Sequence, residues 1–170
     1  MDVKLGLGRA TGMFYHAPAG TALPTTAATI PEAWVHVGDV SDAGITLALN
    51  KTVTNLRNWA NVIKRVIMTD HSETIQSPVM DTTAEVFKTV FGEDNVTVAS
   101  SKVNVNISNP DLAPEEAFLW VMKDGDDLIM IGCTNGQVTA VDNVAFAPNG
   151  AINWTPTITA TGEGFKLIME

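Results

Sequence analysis

From Ala33 onward the apolar residues recur mostly at every second position. Ile45, Leu47 and Leu49 alternate with Thr46, Ala48 and Asn50, and Val103, Val105 and Ile107 alternate with Lys102, Asn104 and Asn106. This period predicts strands with one covered and one polar face. Three dipeptides, Asp124-Gly125, Asn135-Gly136 and Asn149-Gly150, suit two-residue hairpins, whose central positions favour positive φ. They separate the apolar runs Phe118 to Met122, Leu128 to Ile131, Val138 to Phe146 and Ile152 to Thr161, which predicts a four-stranded antiparallel meander. The run from Phe118 to Met122 is apolar on both faces, so its strand should be covered on both sides.

One helix is expected at about 82–91. Thr82 and Glu85 fit a capping box, Val86, Phe87, Val90 and Phe91 follow at helical spacing as its packing face, and Gly92 is a natural stop. Between Leu56 and Ile67 the pattern is divided. Leu56, Trp59, Ala60, Ile63 and Val66 suit a helix, whereas the β-branched Val62, Ile63, Val66 and Ile67 favour a strand, which is expected from about Ala60. Residues 1–33 read as an extended N-terminal arm, since Gly6, Gly8, Gly12, Gly20, Pro18, Pro24 and Pro31 leave no window for a helix or a long strand. The arm carries Met13, Phe14, Tyr15, Leu23 and Ile30, apolar groups that need a surface to lie on, either a neighbour's or that of the arm's own domain. The expected fold is mainly β: an antiparallel sandwich or barrel with one flanking α-helix, formed by residues 34–170 as a single domain behind the arm.

Charge changes the picture of partners. The 170 residues hold 10 Lys plus Arg against 19 Asp plus Glu, a formal net charge of −9, which argues against nucleic acid as a tightly held ligand. Hydrophobic residues make up 45% and charged residues only 17%, so much side-chain surface should end up covered; one domain covers little by itself, which makes an oligomer worth considering. The long uncharged stretches, Ala10 to Pro31 and Asn143 to Gly162, contain several prolines and glycines and do not read as membrane spans. No signal peptide is legible at the N-terminus, so the protein is expected to be made in the cytoplasm. The single Cys133 excludes an intrachain disulfide framework.

Candidate chemistry is thin. Asp70, His71 and Ser72 are consecutive, but on a strand neighbours point to opposite faces and cannot form a triad alone. His16, His36 and His71 lack ligand-spaced partners, the aspartates around Gly125 fit a hairpin tip better than a calcium loop, and Gly6, Gly8 and Gly12 spell no dinucleotide fingerprint. Cys133 has no histidine nearby in sequence and reads as a core thiol. No enzyme, cofactor or metal is expected. Between Ala43 and Thr69 lie four cations, Lys51, Arg57, Lys64 and Arg65, and no carboxylate, whereas Asp111 to Asp127 holds six acids against Lys123. One basic and one acidic face allow copies to meet head to tail.

The stretch Gly12-Met13-Phe14-Tyr15-His16-Ala17-Pro18-Ala19-Gly20-Thr21-Ala22-Leu23-Pro24-Thr25 resembles the opening of tail tube (major tail) proteins of long-tailed, non-contractile phages, particularly of actinobacterial hosts. So do Ala33-Trp34, Val37 to Ile45, Arg57-Asn58-Trp59, the Thr83-to-Gly92 segment and the Trp154-to-Thr161 run, in the family's order. The resemblance implies a structural, non-enzymatic virion subunit that forms hexameric rings, stacked into a tube through which DNA leaves without specific binding. It implies tail-tip or baseplate and tail-terminator proteins as further partners, and no membrane. The arm, Leu7 to Pro31, and an early loop, Asn50 to Asn61, would reach neighbouring subunits or rings. Phe14, Tyr15, Leu23 and Ile30 of the arm, and Lys51, Arg57, Trp59, Lys64 and Arg65 of the loop and basic stretch, are the expected interface residues. Acidic groups are expected towards the lumen, where like charge would keep DNA from sticking. The alternatives are the inner tube protein of a contractile tail or type VI secretion system, and a soluble β-sandwich binding module such as a carbohydrate-binding domain.

Overall fold

Residues 3–9, 13–109 and 111–170 are described by a computed structural model. Gly12, which opens the N-terminal motif, lies outside the described residues, as do residues 10 and 11 of the expected arm. Among the described residues the strands are β1 (Leu7–Gly8), β2 (Phe14–Pro18), β3 (Val35–Gly38), β4 (Thr46–Arg57), β5 (Ile63–Gln76), β6 (Val96–Ala99), β7 (Lys102–Val105), β8 (Glu116–Asp124), β9 (Asp127–Val141), β10 (Pro156–Ala160) and β11 (Lys166–Met169), with one helix, α1 (Ala84–Phe91). Nine strands form one antiparallel sheet in the order β3-β2-β8-β9-β10-β5-β4, with β1 added on β8 and β11 on β9, while β6 and β7 pair separately. The fold is thus mainly antiparallel β with a single short helix, as the alternation predicts.

The expected arm divides. Residues 14–18 are a strand inside the sheet, between β3 and β8, because alternate side chains meet apolar partners on both faces. Phe14 is 0% exposed and its ring stacks on Trp120 at 4.9 Å with a 3° interplanar angle. Tyr15, on the opposite face, is buried with Leu119, Val121 and Met130. The segment beyond Pro18 then folds over that second face, where Leu23 and Ile30 pack half-buried beside Ala27 and Trp34. Residues 13–33 therefore lie on their own domain.

The first face of the sheet carries Phe14, Ile75, Phe118, Trp120, Ile131, Cys133, Val138 and Ile158, and α1 covers it with Val86 and Val90. Phe87 and Phe91 meet Trp154 edge-on at 5.0 and 5.9 Å. The helix begins one residue later than its capping-box signature suggests. Thr83, not Thr82, is the N-cap, its hydroxyl accepting from the Val86 N–H, while the Thr82 hydroxyl accepts instead from the Trp154 indole. Glu85 consequently sits in the first turn, where its charge suits the helix dipole, rather than at the box position.

The meander is corrected from four strands to three. Asn135-Gly136 is no turn: β9 runs through it as one strand of 15 residues. Glycine is needed there for close packing, since a Cβ on Gly136 would lie 2.9 Å from Cys133 Sγ and 3.1 Å from Phe118 Cδ2. Asn149-Gly150 lies in the long connection between β9 and β10, not in a tight hairpin. Only the Asp124-Gly125 signal marks a true hairpin, shifted by one residue. Asp124 pairs with Asp127, leaving Gly125 (φ 62) and Asp126 as the two turn residues.

Candidate assembly surface

The segment expected as a loop, Asn50 to Asn61, is β-structure. β4 and β5 form a two-stranded ribbon paired from Thr46↔Gln76 to Arg57↔Ile63, about 40 Å long at roughly 3.3 Å per residue. Only its base joins the sheet, where Thr74 to Gln76 pair with β10. Above Thr74, β5 has β4 as its ladder partner, because β11 pairs with β9 instead. Every residue from Leu49 to His71 is exposed, including the whole outer edge of β4 beyond Ala48. A lone two-stranded ribbon is marginal in water, and open edges invite pairing.

The ladder register sorts the ribbon's side chains into two unlike faces. One continues the covered face of the sheet from Ile75 and carries Leu47, Leu49, Val53, Met68, Val66 and Ile63, together with Lys51, His71, Glu73, Asn55 and Arg57. The six apolar groups are 41–58% exposed. The other face carries Thr46, Ala48, Asn50, Thr52, Thr54, Ser72, Thr74 and Gln76, with Asp70 further out and Leu56, Arg65 and Ile67 towards the tip. Two bulges, at Thr69 and Lys64, keep Met68, Val66 and Ile63 on the apolar face although their spacing is not uniformly two.

The tip holds the expected basic residues. Arg57 Nη1 donates to the Asn61 carbonyl at 2.9 Å, Asn61 takes φ 60 in the turn, and Trp59 is completely exposed. Lys64 and Arg65 lie one turn back on β5 and are exposed, as is Lys51 further down. Phe14 and Tyr15 are not on this surface, since both side chains are buried within their own chain. Sequence reasoning missed Val53, Val66 and Met68. Their signal was present as apolar residues in strand-compatible positions, but nothing in the sequence says that no element of the same chain covers them.

Following the antiparallel ladder from β5 through β10 and β9 to β8, the ribbon tip and the β8–β9 turn point the same way. The sheet's other end, where β8 begins, is acidic. There His16 Nδ1 lies 3.0 Å from Glu116 and Nε2 3.7 Å from Glu85, and Glu93 follows at the end of α1.

The ribbon's base is pinned by Glu73. Its carboxylate accepts from the Phe165 N–H at 2.7 Å and from His71 at 2.9 Å. The Phe165 bond holds the Glu73 carboxyl below the usual carboxylate range, helped by His71 and Lys51 and opposed by burial. A carboxylate lowered on folding stabilises above its unfolded pKa, and that contribution disappears as pH falls through the lowered value. Glu73→Gln should therefore lower the melting temperature at pH 7 by a few degrees, for about 1–2 kcal/mol, and should flatten the acid limb. Thermal melts of the free subunit at pH 7 and pH 4 check this; equal losses at both would overturn it.

Chemistry is sparse elsewhere. Among the described residues no group of three or more His, Cys, Asp or Glu is placed to hold a metal, and no helix is long and apolar enough to cross a membrane. Cys133 is buried, and desolvation pushes its thiol up to about 12.

Comparison with solved structures finds tails of gene transfer agents. The tail of an empty gene transfer agent particle, refined helically with C6 symmetry, has a chain that is 10% identical with TM-score 0.49, over 95% of this chain and 98% of that one. A native gene transfer agent virion gives 10% identity and TM-score 0.46 at the same coverage. No curated protein matches the chain. The family model described as phage tail tube protein matches residues 7–168, spanning the sheet, the helix and the exposed ribbon alike, and on that match the chain belongs to the phage tail tube family, as a structural component of the virion tail.

Proposed function

We propose that this subunit closes into rings, hexameric as the family resemblance implies, which stack into the tube of a non-contractile tail, and that it does so by contacts alone, without catalysis. One observation carries the reading: a long ribbon presents six exposed apolar side chains on one face and open backbone edges, with nothing among the described residues to cover them. Burial of apolar surface at roughly 25 cal/mol per Å² makes a neighbouring copy the natural cover. Pairing of sheets around a ring also removes the open edges. Leu23 and Ile30, half-buried in the layer over the face opposite the helix, are candidates for ring contacts, while Phe14 and Tyr15 serve the subunit's own core. Tail-tip and terminator proteins would bound the stack, and DNA would pass through it.

The tip end carries both signs, the ribbon's cations beside Asp124, Asp126 and Asp127 of the β8–β9 turn, and the other end carries mainly acids; this unequal distribution supplies register along the stack. The cations at the ribbon tip would meet the acidic end of the next ring, a heterologous contact of the kind that polymerises. Reversal of Arg57, Lys64 and Arg65 to glutamate should block assembly and leave the monomer's circular dichroism unchanged. Normal tubes from that variant would sink this account of the stacking.

Negative-stain electron microscopy of the concentrated protein, alone and with a tail-tip complex, tests the whole reading. Hollow tubes of uniform diameter are expected. Monomers that also fail to join tubes on a tip complex would overturn it and favour a binding module.

A further inference from the structure

The face of the sheet opposite the helix is covered over β2, β8 and the first half of β9 by residues 19–33 and β11's Ile168. Beyond that cover it is open among the described residues except at β9, where the Gln137 side chain donates to the Ala113 carbonyl. Across β4, β5, β10 and the second half of β9 it presents Thr46, Gln76, Thr157 and Ala140 in one row and Ala48, Thr74, Thr159 and Gln137 in the next, with Thr139 at the bulge between them and Asn50, Ser72 and Thr52 following up the ribbon. All of these are half-buried or exposed, and the two rows contain no charged residue. Along the ribbon the first charges are Asp70 and then Arg65 near the tip, and beside the ribbon Glu163 of the turn after β10 shares a pocket with Ser72.

We infer that this hydroxyl-rich face is the channel wall of the assembled tube and that DNA slides past a neutral surface, an inference that rests on the ring assembly proposed above. In a closed ring of sheets one face must point inwards. The helix-bearing face is already covered, and its continuation on the ribbon is apolar and demands protein against it. The remaining face, in its two rows and the first residues of the ribbon above them, is mostly polar, uncharged and stable in water without a partner. Its hydroxyls and amide are also partly occupied with one another. Thr139 and Thr159 share a hydrogen bond at 2.8 Å, and the Gln76 side chain donates to the Thr157 hydroxyl at 3.3 Å. Such pairing leaves fewer free donors to catch phosphate oxygens. Retention of DNA by phosphate contacts scales with the number of cations offered, and here the two rows offer none. Repulsion by acids, the mechanism the net charge alone suggests, is then unnecessary on this part of the wall.

Single-cysteine variants Thr74→Cys and Thr157→Cys test the inference. Cys133 is buried and gives little background. Free subunits should react with both a small methanethiosulfonate and a bulky polyethylene-glycol maleimide. Assembled tubes should still react with the small reagent, which diffuses in from the ends, and should exclude the bulky one. A small mercurial at the same sites should appear by electron cryomicroscopy on the channel side of the wall. Protection from both reagents in tubes would make the face a subunit contact, and reaction with both would place it outside; either overturns the inference. Failure of these variants alone to assemble, with wild-type tubes normal, would also mark a contact surface and overturn it. Absence of tubes from the wild type would instead bring down the ring assembly itself, and the inference with it.

Discussion

Phe14→Ala should cost about 3–5 kcal/mol of subunit stability, the usual loss for truncating a fully buried phenylalanine. Phe14 packs against the rings of Trp120 and Phe118, at 4.9 and 6.2 Å, which also touch each other at 6.3 Å, and Trp120 is in turn fixed by its indole N–H donating to the buried Ser77 hydroxyl at 3.0 Å. Removing the ring leaves a cavity against two rigid aromatics that have little room to collapse into it. The transition midpoint of the unassembled protein in urea is the measurement. A side chain that anchored a neighbouring subunit would behave differently: its truncation would leave the monomer's midpoint in place and weaken only the tube. The same variant therefore separates the two roles open to the N-terminal residues.

The opposite outcome is expected on the ribbon. Val53 and Met68 face each other across the ladder, with Val66 next on the same face, and all three are more than half exposed. Changing Val53 and Val66 together to aspartate removes no core contact, so monomer stability should move by no more than about 0.5 kcal/mol per site. Tube formation should nevertheless be abolished, since two carboxylates per subunit would be desolvated wherever that face is covered, at several kcal/mol each. Sedimentation separates tubes from subunits, and circular dichroism confirms the fold. Tubes of normal yield from a folded double variant would show that the apolar face stays open to water, and the proposed contact would have to be abandoned.

The contrast between these two sites also explains what the sequence could and could not convey. Alternation of apolar residues reports that a strand has one greasy side, as at Leu47 and Leu49, but not whether the cover belongs to the same chain. In β8 the apolar run from Phe118 to Met122 marked a central strand correctly, because a residue buried on each face is unambiguous. The ribbon was harder for a specific reason. Its bulges at Thr69 and Lys64 put Met68, Val66 and Ile63 on one face with steps of two and three, and the step of three imitates a helical period. That is why Leu56 to Ile67 read as half helix, half strand. Asn135-Gly136 misled by the reverse route, since a dipeptide ideal for a hairpin is also what a strand uses where a side chain cannot fit. Net charge, finally, is a sum; it hid a neutral patch within a chain of −9.

The sheet's two margins differ: β3 offers four residues at one side, β4 twelve at the other, with the cationic tip at one end and the acids around His16 at the opposite end. No rotation exchanges such features, so any filament built by repeating this subunit has a direction. Its leading and trailing mouths would be chemically different surfaces, and a protein that recognises one would not mistake it for the other. The information that tells a tail which end meets the head is, on this account, already present in the asymmetry of a single sheet.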